Sequence, residues 1–134
     1  MGVIKLHTVN ERLVFDNKPV ITSGNKNVNS IDVKFCDKWL SLGEGAEFWA
    51  VFYKDEKEKI KVKLENGSCL IPNKMLAVKG FFHIGVAAII GEKVKTSKNI
   101  EYEVMQGADI EAETGDFTLT PEYWYERNVE SWIA

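Results

Sequence analysis

Residues 46–53 read AEFWAVFY, an aromatic and β-branched stretch that is typical of a β-strand. A charged turn at 54–59 separates this stretch from IKVKL at 60–64, which alternates apolar and basic residues. Alternation with a period of two places successive side chains on opposite faces of a strand. The two stretches therefore predict a β-hairpin at the heart of an all-β domain.

The chain after this hairpin continues as short strands separated by turns. Asn66-Gly67 predicts a tight turn, because both residue types tolerate positive φ, and a short strand then ends at Pro72. The most apolar run, FFHIGVAAII at 81–90, has the length and the flanking glycines of a central strand. The alternating IEYEV at 100–104 predicts a strand with apolar side chains on one face and two glutamates on the other.

The first third of the chain also carries strand signals. RLVF at 12–15 and VITS at 20–23 predict a strand-turn-strand unit, and IDVKF at 31–35 alternates cleanly between apolar and charged residues. The connection that follows contains Trp39 and Leu42, which we expect to pack beneath it as a cover on the rim of the domain.

These segments together predict the fold class. They amount to about seven or eight strands at intervals of roughly 8–12 residues, which is the pattern of a β-sandwich. KMLAV at 74–78 predicts one short helical turn that crosses from one sheet to the other. A parallel α/β fold is disfavoured, because no amphipathic helix of suitable length precedes residue 118.

Length and charge limit the classes of function. A chain of 134 residues has the length of a single domain and can bury a core without a metal or a disulfide. The 17 basic and 20 acidic residues are interspersed, with a net charge of −3, and form no basic stripe for a nucleic-acid backbone. No apolar run approaches the roughly 18 residues of a membrane span, and the amino terminus lacks a signal-peptide pattern. We therefore expect a chain made in the cytoplasm that binds neither nucleic acid nor membrane.

No residue pattern predicts catalysis or a cofactor. The serines lack a Gly-x-Ser-x-Gly elbow, and Cys36, Cys69, His7 and His83 do not have the spacing of a zinc site. The two cysteines predict buried free thiols, and His83 predicts a core or sheet-face histidine. Plentiful carboxylates leave a hydrolase as a third alternative, although nothing pairs them at a defined spacing. We assign no catalytic, metal-binding or cofactor-binding residue.

The aromatic residues of the hairpin suggest an alternative function. Because six consecutive, mostly large residues must use both faces of the sheet, one of Trp49 and Tyr53 should be core and the other a surface or interface contact. An exposed aromatic ring can stack on a sugar ring. A carbohydrate-binding module that uses Trp49 or Tyr53 is therefore the alternative hypothesis.

The chain changes character after a predicted β-sandwich domain at 1–108. Residues 109–119 are acidic and predict a linker or edge segment, and residues 120–134 begin with the Thr-Pro-Glu signature of a capped amphipathic helix. This helix either folds back on the sandwich or contacts another chain, and its two tryptophans and two tyrosines favour the contact with another chain. The predicted interface residues are Trp124, Tyr125, Val129 and Trp132.

Several of these blocks together resemble the amino-terminal domain of phage baseplate upper proteins. They are AEFWAVFY at 46–53, NGSCLIP at 66–72, FFHIGVA at 81–87 and IEYEVMQGA at 100–108. The domains of that family, found in tailed phages and prophages of Gram-positive hosts, carry an aromatic-rich strand, a charged hairpin, a Cys-x-Ile-Pro segment and a glycine-bounded strand. The resemblance covers roughly residues 20–108.

The resemblance implies a structural role. It predicts an immunoglobulin-like antiparallel β-sandwich of about seven or eight strands, with a short C-terminal α-helix, in a phage or prophage baseplate or tail fibre. The implied partners are other tail or baseplate proteins, and we expect a homo-oligomer that is made in the host cytoplasm and then enters the virion. The chain ends soon after the predicted helix begins, so the receptor-binding part would be a separate protein or the chain would be a stand-alone adaptor.

Overall fold

The computed structural model describes residues 2–108. Within this range the chain forms nine β-strands and two one-turn helices, which confirms the all-β class and exceeds the predicted strand count. The strands are β1 (Val3–Val9), β2 (Arg12–Phe15), β3 (Ser30–Lys34), β4 (Glu47–Tyr53), β5 (Ile60–Lys63), β6 (Ser68–Leu70), β7 (Gly80–Ile90), β8 (Lys93–Thr96) and β9 (Ile100–Val104). The helices are α1 (Asp37–Leu40) and α2 (Asn73–Leu76).

The nine strands form two sheets. The first sheet has the order β2-β1-β3-β6. The second has the order β5-β4-β7, and both β8 and β9 pair with the other edge of β7. The predicted hairpin of β4 with β5 and the predicted central position of β7 are thus confirmed.

One strand pair departs from the expected antiparallel arrangement. β1 and β3 run parallel, with Val3 opposite Ser30 and His7 opposite Lys34. The chain leaves the β1–β2 hairpin at Phe15 and returns along the other side of β1, so β3 starts at the same end as β1. The long connection between β2 and β3 makes this crossover possible, whereas a short hairpin turn could not.

The two sheets share one hydrophobic core. Alternate residues of the strands point into it, as Phe48, Ala50 and Phe52 do on β4. Burying a side chain of this size stabilises the folded state by about 1.5–3 kcal/mol. The largest fully buried side chains are Trp39, Phe52, Phe82, Ile4, Leu6, Ile21, Ile31, Ile71, Leu76, Ile84, Val86 and Val104.

Two short segments carry the chain between the sheets: a turn at a position predicted as a tight turn, and a helical turn that was predicted to cross. The first is the Asn66-Gly67 turn after β5, where φ is +54° and +83° and Glu65 and Ser68 exchange two backbone hydrogen bonds of 2.9 and 3.0 Å. A Cβ at Gly67 would lie 2.6 Å from the carbonyl oxygen of Val33, so the turn also needs a glycine for space. The second segment is α2, which leads from β6 to β7.

The connection after β3 closes one end of the core, as predicted. Trp39 on α1 is fully buried, and its Nε1 donates a 2.7 Å hydrogen bond to the carbonyl oxygen of Asn10. Leu42 packs against the same core. This hydrogen bond satisfies the one polar atom of a buried indole, which explains how a tryptophan can occupy the position.

The predicted strand at 20–23 is not formed. Ile21 is fully buried and Val20 is exposed, but Thr22 makes an isolated parallel bridge to Met105 instead of a ladder. Pro19, directly before this segment, lacks the backbone N–H that a regular ladder would use. The segment instead runs as an irregular connection beside β9.

Candidate functional site

β7 organises the outer face of the second sheet, which points away from the core. Its C-terminal half pairs with β8 and its N-terminal half with β9. The connection between β8 and β9 crosses the outer face at Gly85, where a Cβ would collide with Oδ1 of Asn99. Val86 N–H donates to Ser97 Oγ, and Ser97 N–H donates to the Val86 carbonyl oxygen, both at 2.9 Å. Gly85 therefore lets this connection lie directly against the sheet.

Tyr53 lies on the outer face and is nevertheless only 6% exposed. Its ring stacks on the His83 ring at a centroid distance of 4.6 Å, and its Oη accepts a 3.0 Å hydrogen bond from Asn99 Nδ2. The Lys59 ammonium lies 5.2 Å from the ring centroid. Tyr53 is buried by neighbours on this face, and with its ring occupied in this way it does not offer a free surface for stacking on a sugar.

Trp49 shares this face with Tyr53, because residues four apart on a strand point the same way. It is half-buried, and Lys61 Nζ lies 5.0 Å from the centroid of its ring. Its Nε1 is shielded from solvent and meets no hydrogen-bond acceptor among residues 2–108. We expected one of the two rings to be core and the other a surface or interface contact. Both rings lie instead on the outer face, where Tyr53 is buried and Trp49 is half-buried.

A groove beside β9 gathers large exposed apolar side chains. Val20 is 76% exposed, Phe81 54% and Met105 47%, and all three line the same hollow of about 290 Å³. We call it the β9 groove. Its lining residues are Lys18, Pro19, Val20, Phe81, Glu101, Tyr102, Glu103 and Met105.

Hydrogen bonds hold the two walls of the β9 groove together. The Tyr102 hydroxyl donates to the carbonyl oxygen of Pro19. Met105 N–H donates to the Ile21 carbonyl oxygen at 2.9 Å, and Ser23 N–H donates to the Met105 carbonyl oxygen at 2.8 Å. The connection before β3 is thereby fastened to β9, and the groove is a defined surface of the fold.

The residues of the β9 groove do not form a recognisable site in the sequence. Val20 falls in a stretch whose pattern predicts a strand. Phe81 belongs to the central apolar run, although it points to the face opposite its buried neighbour Phe82. The signal that could have found Phe81 is the period of two along this run. Nothing local in the sequence joins Val20 to Met105, because tertiary hydrogen bonds bring them together.

The charges of the β9 groove are mostly negative. Glu101 and Glu103 line it from the outer face of β9, and Lys18 lines it from the opposite wall. Lys18 Nζ also lies 5.0 Å from the Phe15 ring centroid. Burial raises the pKa of the Tyr102 phenol, so this hydroxyl stays a neutral donor at ordinary pH.

The two cysteines are free thiols, as expected, and both are half-buried against the core, whereas buried thiols were expected. Cys69 lies on β6 opposite Ile31, and burial raises its pKa to about 12. Cys36 precedes α1, and hydrogen bonding by the Thr8 hydroxyl lowers its pKa. The two thiols therefore differ in ionisation, although nothing pairs either with a general base among residues 2–108.

A second hollow of about 390 Å³ lies at the rim near α1, between Phe35, Phe48 and Leu40. Among residues 2–108 no group of three or more His, Cys, Asp and Glu side chains lies close enough to hold a metal ion. No helix in this range is long and apolar enough to cross a membrane.

The predicted linker at 109–119 and the predicted helix at 120–134 lie outside the described residues, and the same is true of the predicted interface residues. Those residues are Trp124, Tyr125, Val129 and Trp132. Of the predicted site residues, the structure describes Trp49 and Tyr53. Comparison with models of protein families gives no match for this chain, and comparison with curated proteins gives none either.

Proposed function

We propose that this protein is a non-enzymatic adaptor that binds another protein through the β9 groove. The observation that supports the proposal is the clustering of Val20, Phe81 and Met105, three large and strongly exposed apolar side chains, in one hollow. Exposed apolar residues scattered singly are ordinary on a protein surface, whereas a contiguous patch marks an interaction site. The fixed walls of the groove favour a partner that binds without rearranging it.

The chemistry of the β9 groove indicates the kind of partner segment that it fits. Its floor offers apolar contacts, and Glu101 and Glu103 stand beside them on the outer face. A partner segment with an apolar anchor residue and flanking basic residues would bury the anchor and pair with the carboxylates. Such charge pairs at the rim contribute more to association rate and specificity than to affinity.

The assembly that we propose for this adaptor is a phage or prophage baseplate or tail fibre. The support is the resemblance of residues 46–53, 66–72 and 81–87 to phage baseplate upper proteins, together with a two-sheet architecture that suits an immunoglobulin-like sandwich. The parallel β1–β3 pair is a departure from a purely antiparallel plan. A homo-oligomer remains part of this proposal.

Carbohydrate binding receives less support from the same geometry. Tyr53 is stacked on His83 and hydrogen-bonded to Asn99, and the ring of Trp49 has Lys61 above it. An aromatic ring that stacks on a sugar needs an accessible face. A sugar could stack on either of these rings only after their existing contacts were broken. We therefore keep the adaptor as the proposed function.

The composition of isolated particles tests this assignment. Tail-like or phage particles are induced in the bacterium that encodes the chain, purified through a density gradient, and analysed by quantitative mass spectrometry. We expect the chain to travel with tail and baseplate proteins at a fixed copy number per particle. Its absence from such particles, or turnover of a defined substrate by the purified chain, would overturn the proposal.

A further inference from the structure

An apolar strip crosses the outer face of the second sheet at the end opposite the β9 groove. Trp49 stands opposite Ala87, and Ile89 stands opposite Val94, so these side chains share one face across β4, β7 and β8. Val51 lies next to Trp49 on the same face of β4. We call these five residues the Trp49 strip.

Lysines border the Trp49 strip on the side of β5. In the β4–β5 ladder, Lys63 stands opposite Trp49 and Lys61 stands opposite Val51. Lys61 extends over the indole, with Nζ 5.0 Å from the ring centroid, and Lys63 Nζ lies 3.3 Å from Glu47 Oε2. With Lys59 directly before the strand, one edge of the strip is positively charged.

The indole N–H of Trp49 adds a second feature. It is shielded from solvent, and no acceptor among residues 2–108 reaches it. A shielded donor without an acceptor is unfavourable, and a hydrogen bond to a charged acceptor is among the stronger ones available. Ala87 is itself buried, so the accessible apolar surface of the strip comes from its other members, of which Val94 is the most exposed. The strip therefore combines apolar surface, positive charge and a donor that lacks an acceptor in the described part of the chain.

The sequence outside the described part has complementary chemistry. Residues 1–108 carry 16 basic and 13 acidic residues, a net charge of +3, whereas residues 109–134 carry one basic and seven acidic residues, a net charge of −6. The segment is also rich in aromatic residues. They are Phe117, Tyr123, Trp124, Tyr125 and Trp132.

We propose that residues 109–134 of the same chain bind over the Trp49 strip. The carboxylates of the segment pair with Lys61 and Lys63, and its aromatic side chains cover the apolar residues between the lysines and Val94. The β9 groove is the less suitable place for the segment, because its own Glu101 and Glu103 repel a chain of charge −6. This inference is independent of the adaptor proposal, which concerns the other end of the sheet.

The segment can reach the strip. Gly80 on β7 stands opposite Val104, and Ala87 stands opposite Trp49, so Val104 and the strip lie about 23 Å apart along β7 at 3.3 Å per residue. Because β9 runs from the Ile84 end of β7 toward Gly80, residues 105–108 continue away from the strip and add up to about 13 Å, whereas the 26 residues of 109–134 can span about 86 Å when extended. Because the segment is tethered to the strip, its effective concentration there is in the millimolar range. A second copy would compete only at a protein concentration in the same range.

Zero-length crosslinking of the full chain tests this inference. A carbodiimide joins lysines to carboxylates that are in direct contact, and mass spectrometry of the separated monomer band identifies the linked peptides. The Lys63–Glu47 pair is an internal control for the chemistry, because these groups are already 3.3 Å apart. Lys34, an exposed strand lysine on the first sheet, is the control for nonspecific linkage.

We expect links from Lys61 or Lys63 to carboxylates of 109–134 in the monomer band, and none from Lys34. Links confined to a dimer band would overturn the choice of the same chain and assign the strip to a second copy. Formation of the Lys63–Glu47 link without any link to the segment would overturn the inference altogether.

A charge reversal provides a second readout. K61E/K63E removes the positive border, and we expect faster hydrogen exchange in peptides from 109–134, with little change in the peptides of β7. K34E is the matched control and should leave the exchange of the segment unchanged. An equal rate of hydrogen exchange in the peptides from 109–134 of K61E/K63E and of the unmodified chain would overturn the inference.

Discussion

His83 lies almost parallel to the ring of Tyr53, at a centroid distance of 4.6 Å and an interplanar angle of 13°. The two residues stand directly opposite each other in the β4–β7 ladder, on the outer face of the sheet. Asn99, from the connection that crosses this face, completes the arrangement with its hydrogen bond to the Tyr53 hydroxyl. The stacked pair therefore fixes this connection on the sheet and separates the β9 groove from the Trp49 strip.

The hydrogen bond between Asn99 and Tyr53 should contribute to stability as one unit. Tyr53→Phe removes its acceptor and Asn99→Ala its donor, and each should lower the free energy of unfolding by about 1 kcal/mol. The double variant should lose less free energy of unfolding than the sum of the two single losses, because both changes remove the same hydrogen bond. Urea denaturation of the four proteins measures this, and strict additivity would show that the two groups are not coupled.

Two glycines with the same φ separate steric conflict from backbone strain. Gly67 and Gly45 both have φ of +83°, but a Cβ at Gly67 would lie 2.6 Å from the Val33 carbonyl oxygen, whereas nothing lies within 4 Å of one at Gly45. Gly45→Ala should lower the free energy of unfolding by about 1–2 kcal/mol, because alanine is strained in the left-handed backbone conformation. Gly67→Ala should cost clearly more in the free energy of unfolding. Equal losses on urea denaturation would mean that the turn can move away from Val33.

The two free thiols should differ in reactivity. Burial raises the pKa of Cys69 to about 12, whereas the Thr8 hydroxyl lowers that of Cys36, and the thiolate is the species that reacts. Iodoacetamide at pH 8 should therefore modify Cys36 first, as measured by mass spectrometry over time. Thr8→Val should slow the modification of Cys36 and leave the rate of modification of Cys69 unchanged. Modification of both thiols at the same rate would contradict the claim that their surroundings give them different pKa values.

An ion pair between the two sheets should make stability depend on pH. Lys95 Nζ contacts Glu11 Oε1 at 3.4 Å and lowers the pKa of that carboxyl below its ordinary value of 4.5. Because the pKa is lower in the folded state, the stabilisation is present above the unfolded-state pKa and is lost as pH falls through the folded-state pKa. Lys95→Met should raise the pKa of Glu11 in an NMR titration, and the neighbouring Lys93→Met should not. An unchanged pKa in Lys95→Met would refute this assignment.

Local patterns predicted much of the second sheet. The alternation in β5 and β9, the apolar run of β7 and the Asn66-Gly67 turn each reflect short-range physics of pleat and backbone, which a sequence displays directly. The parallel pairing of β1 with β3, and the sharing of one edge of β7 by β8 and β9, depend on contacts between distant segments. No local period encodes those contacts.

The candidate surfaces were harder to predict for the same reason. Val20, Phe81 and Met105 are far apart in the sequence and meet because Tyr102 and Met105 bind the connection before β3. The aromatic character of 46–53 did draw attention to Trp49 and Tyr53. Their different accessibility follows from His83 and Asn99, neither of which lies near β4 in the sequence.

The most direct test of the account compares two apolar residues of nearly equal exposure. Phe81 in the β9 groove is 54% exposed, and Leu70 on β6 of the first sheet is 51% exposed. Each is changed to Asp in the host of the proposed phage or prophage particles, and the amount of each variant in purified particles is measured by mass spectrometry. We expect Phe81→Asp to lower incorporation by about tenfold, which corresponds to a loss of about 1.4 kcal/mol at the contact, and Leu70→Asp to incorporate normally. Equal incorporation of the two folded variants would contradict the assignment of the β9 groove as the docking surface.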